Sequence, residues 1–185
     1  MNFNNHSYLE GRHAFLSPSN YHWINYDDEK LVDTYYRNLA AQRGTELHEY
    51  AATAIRLKQK QAKSRKSLNM FINDAIGFQM VPELILFYSE NCFGTADAIC
   101  YRRNFLRIHD YKSGLIPGNM KQLLVYTALF CLEYKIKPSE LEGELRIYQS
   151  DEIICHTPTT DELVPIIDRI VTYDKIISHL KEQEA

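Results

Sequence analysis

The stretch from Gly94 to Gly114, GTADAICYRRNFLRIHDYKSG, constrains this chain more than any other. It reads as two strands joined by a short polar turn at Arg102 to Asn104. Side chains of a strand alternate between its two faces, so Asp97, Ile99 and Tyr101 are expected on one face of the first strand. Leu106, Ile108, Asp110 and Lys112 are expected on one face of the second. A tight hairpin centred on Arg103-Asn104 sets Tyr101 opposite Leu106, Ile99 opposite Ile108 and Asp97 opposite Asp110. The resulting face is apolar near the turn and ends in two carboxylates and a lysine.

Two like charges directly opposed on a sheet repel each other. A cation between them removes the conflict. Magnesium prefers hard oxygen ligands and is often held by one or two carboxylates, completed by waters and substrate phosphates. Lys112 shares its face with Asp110 and is placed to orient or deprotonate an attacking water. The competing reading is a surface hairpin in which Lys112 makes an ordinary ion pair. Asp-Tyr-Lys alone does not choose between them. The position of both carboxylates as the continuation of an apolar face, where stray charges are costly, favours the cation site.

Four short motifs occur in order across roughly the middle half of the chain. They are Gly44-Thr45-Glu46-Leu47-His48, Gly94-Thr95-Ala96-Asp97, Asp110-Tyr111-Lys112 and Gln122-Leu123-Leu124-Val125-Tyr126. The ordered set resembles the PD-(D/E)XK nuclease superfamily, in particular its RecB-like branch of phage exonucleases and CRISPR-associated nucleases. The resemblance implies a restriction-endonuclease-like α/β core and a deoxyribonuclease that uses Mg2+ or Mn2+. In that scheme Asp97 and Asp110 bind the metal. His48 and the backbone carbonyl of Tyr111 add ligands, Lys112 positions or activates the water, and Gln122 and Tyr126 hold the DNA strand. The implied role is exonucleolytic resection of linear double-stranded DNA ends for recombination in a phage or mobile element, in the cytoplasm of a bacterial host. A homo-oligomer and a recombination or single-strand-annealing partner protein fit that role. Some relatives hold an iron–sulfur cluster with one cysteine before the histidine helix and three near the C-terminus. The cysteines here are Cys92, Cys100, Cys131 and Cys155, so no cluster is expected. Two other classes stay open: a catalytically silent nucleic-acid-binding module, and a nuclease subunit that needs a partner for activity.

A chain of 185 residues with 45% hydrophobic content suits one globular domain with a real core. No apolar run reaches membrane-span length, and the polar N-terminus does not resemble a signal peptide, so a soluble intracellular protein is expected. The net charge of -3 means that a DNA partner requires a local basic patch. Arg56, Lys58, Lys60, Lys63, Arg65 and Lys66 supply one, with no acid among them. A solvated helix end, where positive charge is favoured in any case, is the alternative. The cysteines have no Cys-x-x-Cys or zinc spacing and are expected as buried free thiols.

Outside these motifs, residues 1–16 show no clear period. Ser17-Pro18 opens a helix, and Tyr21, His22, Trp23 and Tyr26 read more readily as core packing than as base-stacking groups. Asp27 or Asp28 caps a second helix running to about Gln42. Gly44 introduces a separate helix from Glu46 to about Lys60, with Leu47, Ala51, Ala54 and Ile55 buried, His48 beside that stripe, and Glu49 a secondary candidate ligand. A helix over residues 67–77 stops at Gly77. Val81 to Tyr88 is a strand, and Glu90 before Gly94 reads more readily as an exposed turn carboxylate than as a group approaching the metal site. Gly94 marks a bulge, a close approach or simply the turn. Met120 to Lys135 is a helix buried nearly all round. Leu141–Gln149 and Glu152–His156 form a second hairpin about Ser150-Asp151. Thr159 and Glu162 form a capping box opening a helix whose apolar face is Ile166, Ile167, Ile170, Tyr173, Ile177 and Leu180. The expected whole is one nuclease domain over 1–185: an N-terminal helical portion (1–43), a catalytic core with a mixed sheet of about five strands flanked by helices (44–156), and a C-terminal helix (157–185).

Overall fold

The computed structural model describes residues 14–114 and 116–184, and most of the non-periodic segment 1–16 lies outside them. Two compact units result, residues 1–43 and 44–185. In the first, Pro18–Asn25 forms a 3-10 helix rather than an α-helix, and the Trp23 indole N–H donates to the Ser17 carbonyl at 3.0 Å. Asp27 then caps α1 (Asp28–Arg56), its Oδ1 accepting from the Lys30 N–H at 2.8 Å.

The two helices expected on either side of Gly44 are one: α1 runs unbroken through this glycine. Glycine inside a helix costs roughly 1 kcal/mol relative to alanine. A Cβ at position 44 would lie 3.2 Å from the Ser113 hydroxyl oxygen, so the glycine admits the loop beyond the central hairpin. Gly44 therefore marks close packing, not a helix start. The helix ends at Arg56 rather than Lys60, and Lys58 takes a left-handed conformation (φ 55°).

The second unit is α/β. After α2 (Ser67–Gly77) come β1 (Val81–Ser89), β2 (Cys92–Arg102) and β3 (Phe105–Tyr111), then α3 (Met120–Tyr134), a short 3-10 turn, β4 (Glu142–Gln149), β5 (Glu152–His156) and α4 (Thr160–Glu184). The five strands pair in sequence order, all antiparallel except β3 with β4, which α3 connects. The β2–β3 register is the expected one, with Tyr101 opposite Leu106 and Ile99 opposite Ile108. Arg103 and Asn104 both adopt positive φ (53° and 62°), the pattern of a two-residue turn whose twist matches the strands. The β4–β5 hairpin turns at Ser150-Asp151 in the same way.

Helices cover both sheet faces. Ile99, Leu106, Ile108, Leu145 and Ile147 pack with Leu123, Leu129 and Phe130 of α3. On the other side, Ala98, Cys100, Tyr111 and Tyr148 pack with Ala51 and Ile55 of α1 and Phe71 and Ile72 of α2. Thr159 and Glu162 cap α4 reciprocally, Thr159 N–H to Glu162 Oε2 at 2.9 Å and Glu162 N–H to Thr159 Oγ1 at 3.3 Å.

Several local expectations are corrected. Helix α3 leaves Val125, Glu133 and Tyr134 exposed, because only one side of it meets the sheet. The apolar face of α4 is covered over Ile166, Ile167 and Ile170, but Tyr173, Ile177 and Leu180 are exposed, the first two lining an open groove with Leu124 and Val125 of α3. Cys100 and Cys131 are buried, whereas Cys155 on the edge strand is exposed and Cys92 half-buried. Helix α2 ends at Gly77 as expected, and the left-handed residue that follows it is Gln79 (φ 55°). Among the described residues no helix is long and apolar enough to cross a membrane.

Candidate active site

The regular alternation of β2 breaks at Asp97. Leu84, Leu86 and Ala96 pack on the α3 side, and so does Ile99, three residues beyond Ala96, while Ala98 and Cys100 pack on the α1–α2 side. Asp97 thus does not simply share the face of Ile99. The β2–β3 ladder ends at Ala98 with His109. Beyond it, the Tyr111 N–H donates to Asp97 Oδ2 at 2.8 Å, so the carboxylate takes the place of a backbone partner. The expected face-to-face pairing of Asp97 with Asp110 gives way to this bond: each aspartate turns to a different partner.

His48, on the stretch of α1 that packs against the sheet, brings Nδ1 to 3.3 Å from the same Asp97 Oδ2. A third group completes this cluster. Glu83 lies between Pro82, paired with Ala98, and Leu84, paired with Ala96, and is therefore across β1 from Asp97. Its positive φ of 53° shows that β1 is kinked at the same level as β2. His48, Glu83 and Asp97 each offer a ligand atom, and the three atoms lie within 4.8 Å of one another. Sequence reasoning missed Glu83. The available signal was Pro82-Glu83 at the register position opposite Asp97, but it becomes visible only once the β1–β2 turn is placed.

The hydrogen bond to Asp97 holds the His48 imidazole above its ordinary pKa, against the opposing effect of burial. Burial, then the charge of Asp97, raises the Glu83 carboxyl, while His48 and Arg56 oppose.

Asp110 is only 2% exposed. Lys112 Nζ donates to its Oδ1 at 3.0 Å and donates again to Gln122 Oε1 at 3.0 Å. Oδ2 also lies 3.0 Å from the ammonium as an ion-pair contact, and among the described residues it accepts no well-aligned hydrogen bond. Burial, then the charge of Asp97, pushes the Asp110 carboxyl up to about 6, with Lys112 pulling the other way. A buried carboxylate is costly unless its charge is balanced, and Lys112 is the one cation in contact with it among the described residues.

Tyr126, four residues after Gln122, donates its hydroxyl to the Thr95 carbonyl at 2.6 Å. Its ring lies on Gly94, where a Cβ would come within 3.0 Å of the Tyr126 Cε1. Gly94 thus serves a close approach, and the irregular pairing of this hairpin lies instead between Phe87 and Ser89. The Tyr111 ring is buried against Phe71, at 6.0 Å between centroids. The basic residues Arg56, Lys58, Lys60, Lys63, Arg65 and Lys66 are all exposed, at the end of α1 and in the loop after it. Arg56 is close enough to Glu83 to act on its carboxyl. Glu49 is exposed, and Glu90 lines a depression with Ile85, Phe87 and Phe93, apart from the His48 cluster.

The structure therefore brings His48 and Asp97 together with Glu83, and Asp110 together with Lys112 and Gln122. The two groups adjoin closely enough for the charges of Asp97 and His48 to act on Asp110. Carboxylate oxygens and one imidazole nitrogen suit a divalent cation such as magnesium or manganese. The unbonded Asp110 oxygen is the kind of atom that such an ion would satisfy. No protein-family model, curated protein or solved structure matches this chain.

Proposed function

We propose that the chain is a divalent-cation-dependent nuclease that hydrolyses phosphodiester bonds of DNA, acting first at linear ends. The observation that carries the reading is the buried Asp110 carboxylate beside Lys112 and next to the His48–Glu83–Asp97 cluster. A structural ion pair would not call for three further ionisable groups at the same sheet end.

His48, Glu83, Asp97 and Asp110 are the residues that would hold Mg2+ or Mn2+, and the Tyr111 carbonyl belongs to this set by resemblance only. When bound, such an ion supplies charge neutralisation at the phosphate and a lowered pKa for water. The chain's own residues do the rest. Asp110 and Gln122 fix the Lys112 ammonium between them, so it is oriented before substrate arrives. From there it can donate to a non-bridging phosphate oxygen or orient the attacking water. Tyr126 holds the Gly94–Thr95 backbone in place and lines the side from which a strand would enter. The exposed basic run provides contacts for the phosphate backbone.

The test is incubation of purified protein with end-labelled linear and closed-circular DNA in magnesium, manganese or chelator. Loss of label from linear DNA only with metal is expected. Intact DNA under every condition overturns the reading. Replacing Lys58, Lys60, Lys63, Arg65 and Lys66 together by glutamine should weaken DNA binding and flatten its salt dependence, measured by anisotropy at several salt concentrations. Unchanged affinity and slope would return the run to an ordinary solvated surface.

A further inference from the structure

The β1–β2 hairpin carries, on the side away from α3, a row of exposed side chains that the candidate site does not use. Ile85 pairs with Thr95, and Phe87 with Phe93. Ile85 is 58%, Phe87 46% and Phe93 61% exposed. The two phenyl rings are 6.3 Å apart between centroids and inclined by 30°, and with Ile85 and Glu90 they line a shallow depression of about 380 Å3. The same strands carry Glu83 across from Asp97, four residues along β1 from Phe87. At the rise of a strand that separation is about 13 Å. The aromatic pair and the carboxylate cluster are two ends of one strip, and Arg56, the first residue of the basic run, sits beside the cluster end.

We propose that Phe87 and Phe93 form a stacking platform for an unpaired base of the strand being cut, so that the substrate presents single-stranded character at the cleavage end. The proposal rests on the nuclease reading above. Four observations carry it. The rings are exposed and lie within about two or three nucleotides of the carboxylates, the reach of one short single strand. Arg56 adjoins the cluster from the α1 side, so a phosphate backbone has positive charge on one flank and a π surface on the other. Glu90 at the rim of the depression repels phosphate, which directs the base, not the backbone, toward the rings. The neighbouring sheet edge is closed at this point, because the Phe87 N–H donates to Glu133 Oε2 at 2.8 Å, so an added protein strand would find that donor taken. Stacking is sequence-tolerant because every base has a π face, which suits an enzyme that resects ends of any sequence.

The experiment measures anisotropy of a labelled single-stranded oligonucleotide in chelator, where binding proceeds without cleavage. Wild type is compared with Phe93→Ala, Phe93→Leu and Phe93→Tyr, each checked for an unchanged melting temperature. Phe93→Ala is expected to weaken binding roughly 5- to 100-fold. Phe93→Leu, which keeps apolar bulk and loses the ring, should lose most of the same affinity, and Phe93→Tyr should keep it. An oligonucleotide with one abasic position two or three nucleotides from the cleavage site should bind wild type as weakly as the intact oligonucleotide binds Phe93→Ala, and Phe93→Ala should show no further loss with it. If wild type binds and cuts DNA while Phe93→Ala binds within twofold of it, the stacking platform is wrong and the nuclease reading stands. If Phe93→Leu binds as well as wild type, the patch is an apolar contact and the stacking proposal falls. If wild type neither binds nor cuts any oligonucleotide, the nuclease reading fails and takes this proposal with it.

Discussion

His109 and Asp110 are neighbours on β3, both almost fully buried, and they meet opposite fates. His109 enters a polar network under α2. Tyr148 donates its hydroxyl to Asp74 Oδ2 at 2.7 Å, so its oxygen is left to accept from His109 Nδ1, 3.2 Å away. Arg146 reaches the same Asp74 oxygen at 3.0 Å. The Phe78 ring meets His109 edge-on and is flanked by the guanidinium groups of Arg107 and Arg146. Among the described residues no carboxylate touches the imidazole, and its Nε2 has no hydrogen-bond partner. Burial, reinforced by the two arginines, lowers its pKa to about 3, so the ring is neutral. Asp110 turns instead to the ammonium of Lys112, close enough to Asp97 and His48 for their charges to act on it. Burial acts on both groups alike, by disfavouring charge. The neighbours of each set its role: His109 is closed off as a neutral part of the core, and Asp110 is left acidic enough to charge near neutrality. Adjacent residues of one strand thus end in different surroundings, His109 in the polar network with Tyr148 and Asp74 and Asp110 beside Lys112.

The sharpest way to break this contrast is through pH, because the two neighbours work with opposite sign. The unfolded chain takes up a proton at His109 that the folded protein refuses, so His109 costs stability as pH falls from about 6.5 toward about 3. The folded protein keeps a proton on Asp110 that the unfolded chain has released, so Asp110 costs stability as pH rises from about 4 to about 6. Each slope is about 1.4 kcal/mol per pH unit, and over the full windows they amount to about 5 and about 3 kcal/mol. In metal-free protein their contributions should largely cancel between about pH 4 and 6. His109→Asn, which keeps an N–H for Tyr148, should become more stable toward acid across that window. Asp110→Asn should become less stable. Urea unfolding at several pH values measures both slopes, and parallel curves for the two variants would dissolve the distinction.

The next largest effect concerns chemistry on the Asp110 side alone. Lys112→Ala leaves all four carboxyl and imidazole groups in place. Cleavage should fall on the order of a hundredfold or more while DNA binding persists, the scale seen when a positioned charge or proton-transfer group is lost. A rate within a few-fold of wild type at saturating magnesium would remove Lys112 from the chemistry.

A smaller effect is expected from metal alone. A cation that binds the native state stabilises it by mass action, about 2.7 kcal/mol at a hundredfold excess over Kd. Magnesium or manganese should therefore raise the melting temperature by several degrees. Glu83→Gln and Asp110→Asn should each reduce that rise, and His109→Asn should leave it intact. An equal response in all three variants would detach the cation from this sheet end.

Much of this was legible in the chain itself wherever the physics is local. The Arg103-Asn104 turn, the β2–β3 register and the placement of Asp110 with Lys112 come from side-chain alternation and turn geometry, which depend only on near neighbours in sequence. The capping box at Thr159 and Glu162 is local in the same sense. Tertiary structure decided the rest. Glu83 joins His48 and Asp97 only because β1 pairs with β2 and both strands kink at one level. Asp97 leaves the face of Ile99 because its carboxylate answers the Tyr111 N–H at the end of the ladder. Gly44 looked like a boundary but sits inside α1, since its meaning lies in Ser113, far away along the chain. Likewise, the apolar stripe of α4 is evident in its spacing, while which part of it is covered depends on the elements packed against it. Periodicity reports what a segment can bury, and only the assembled fold determines what stands opposite to receive it.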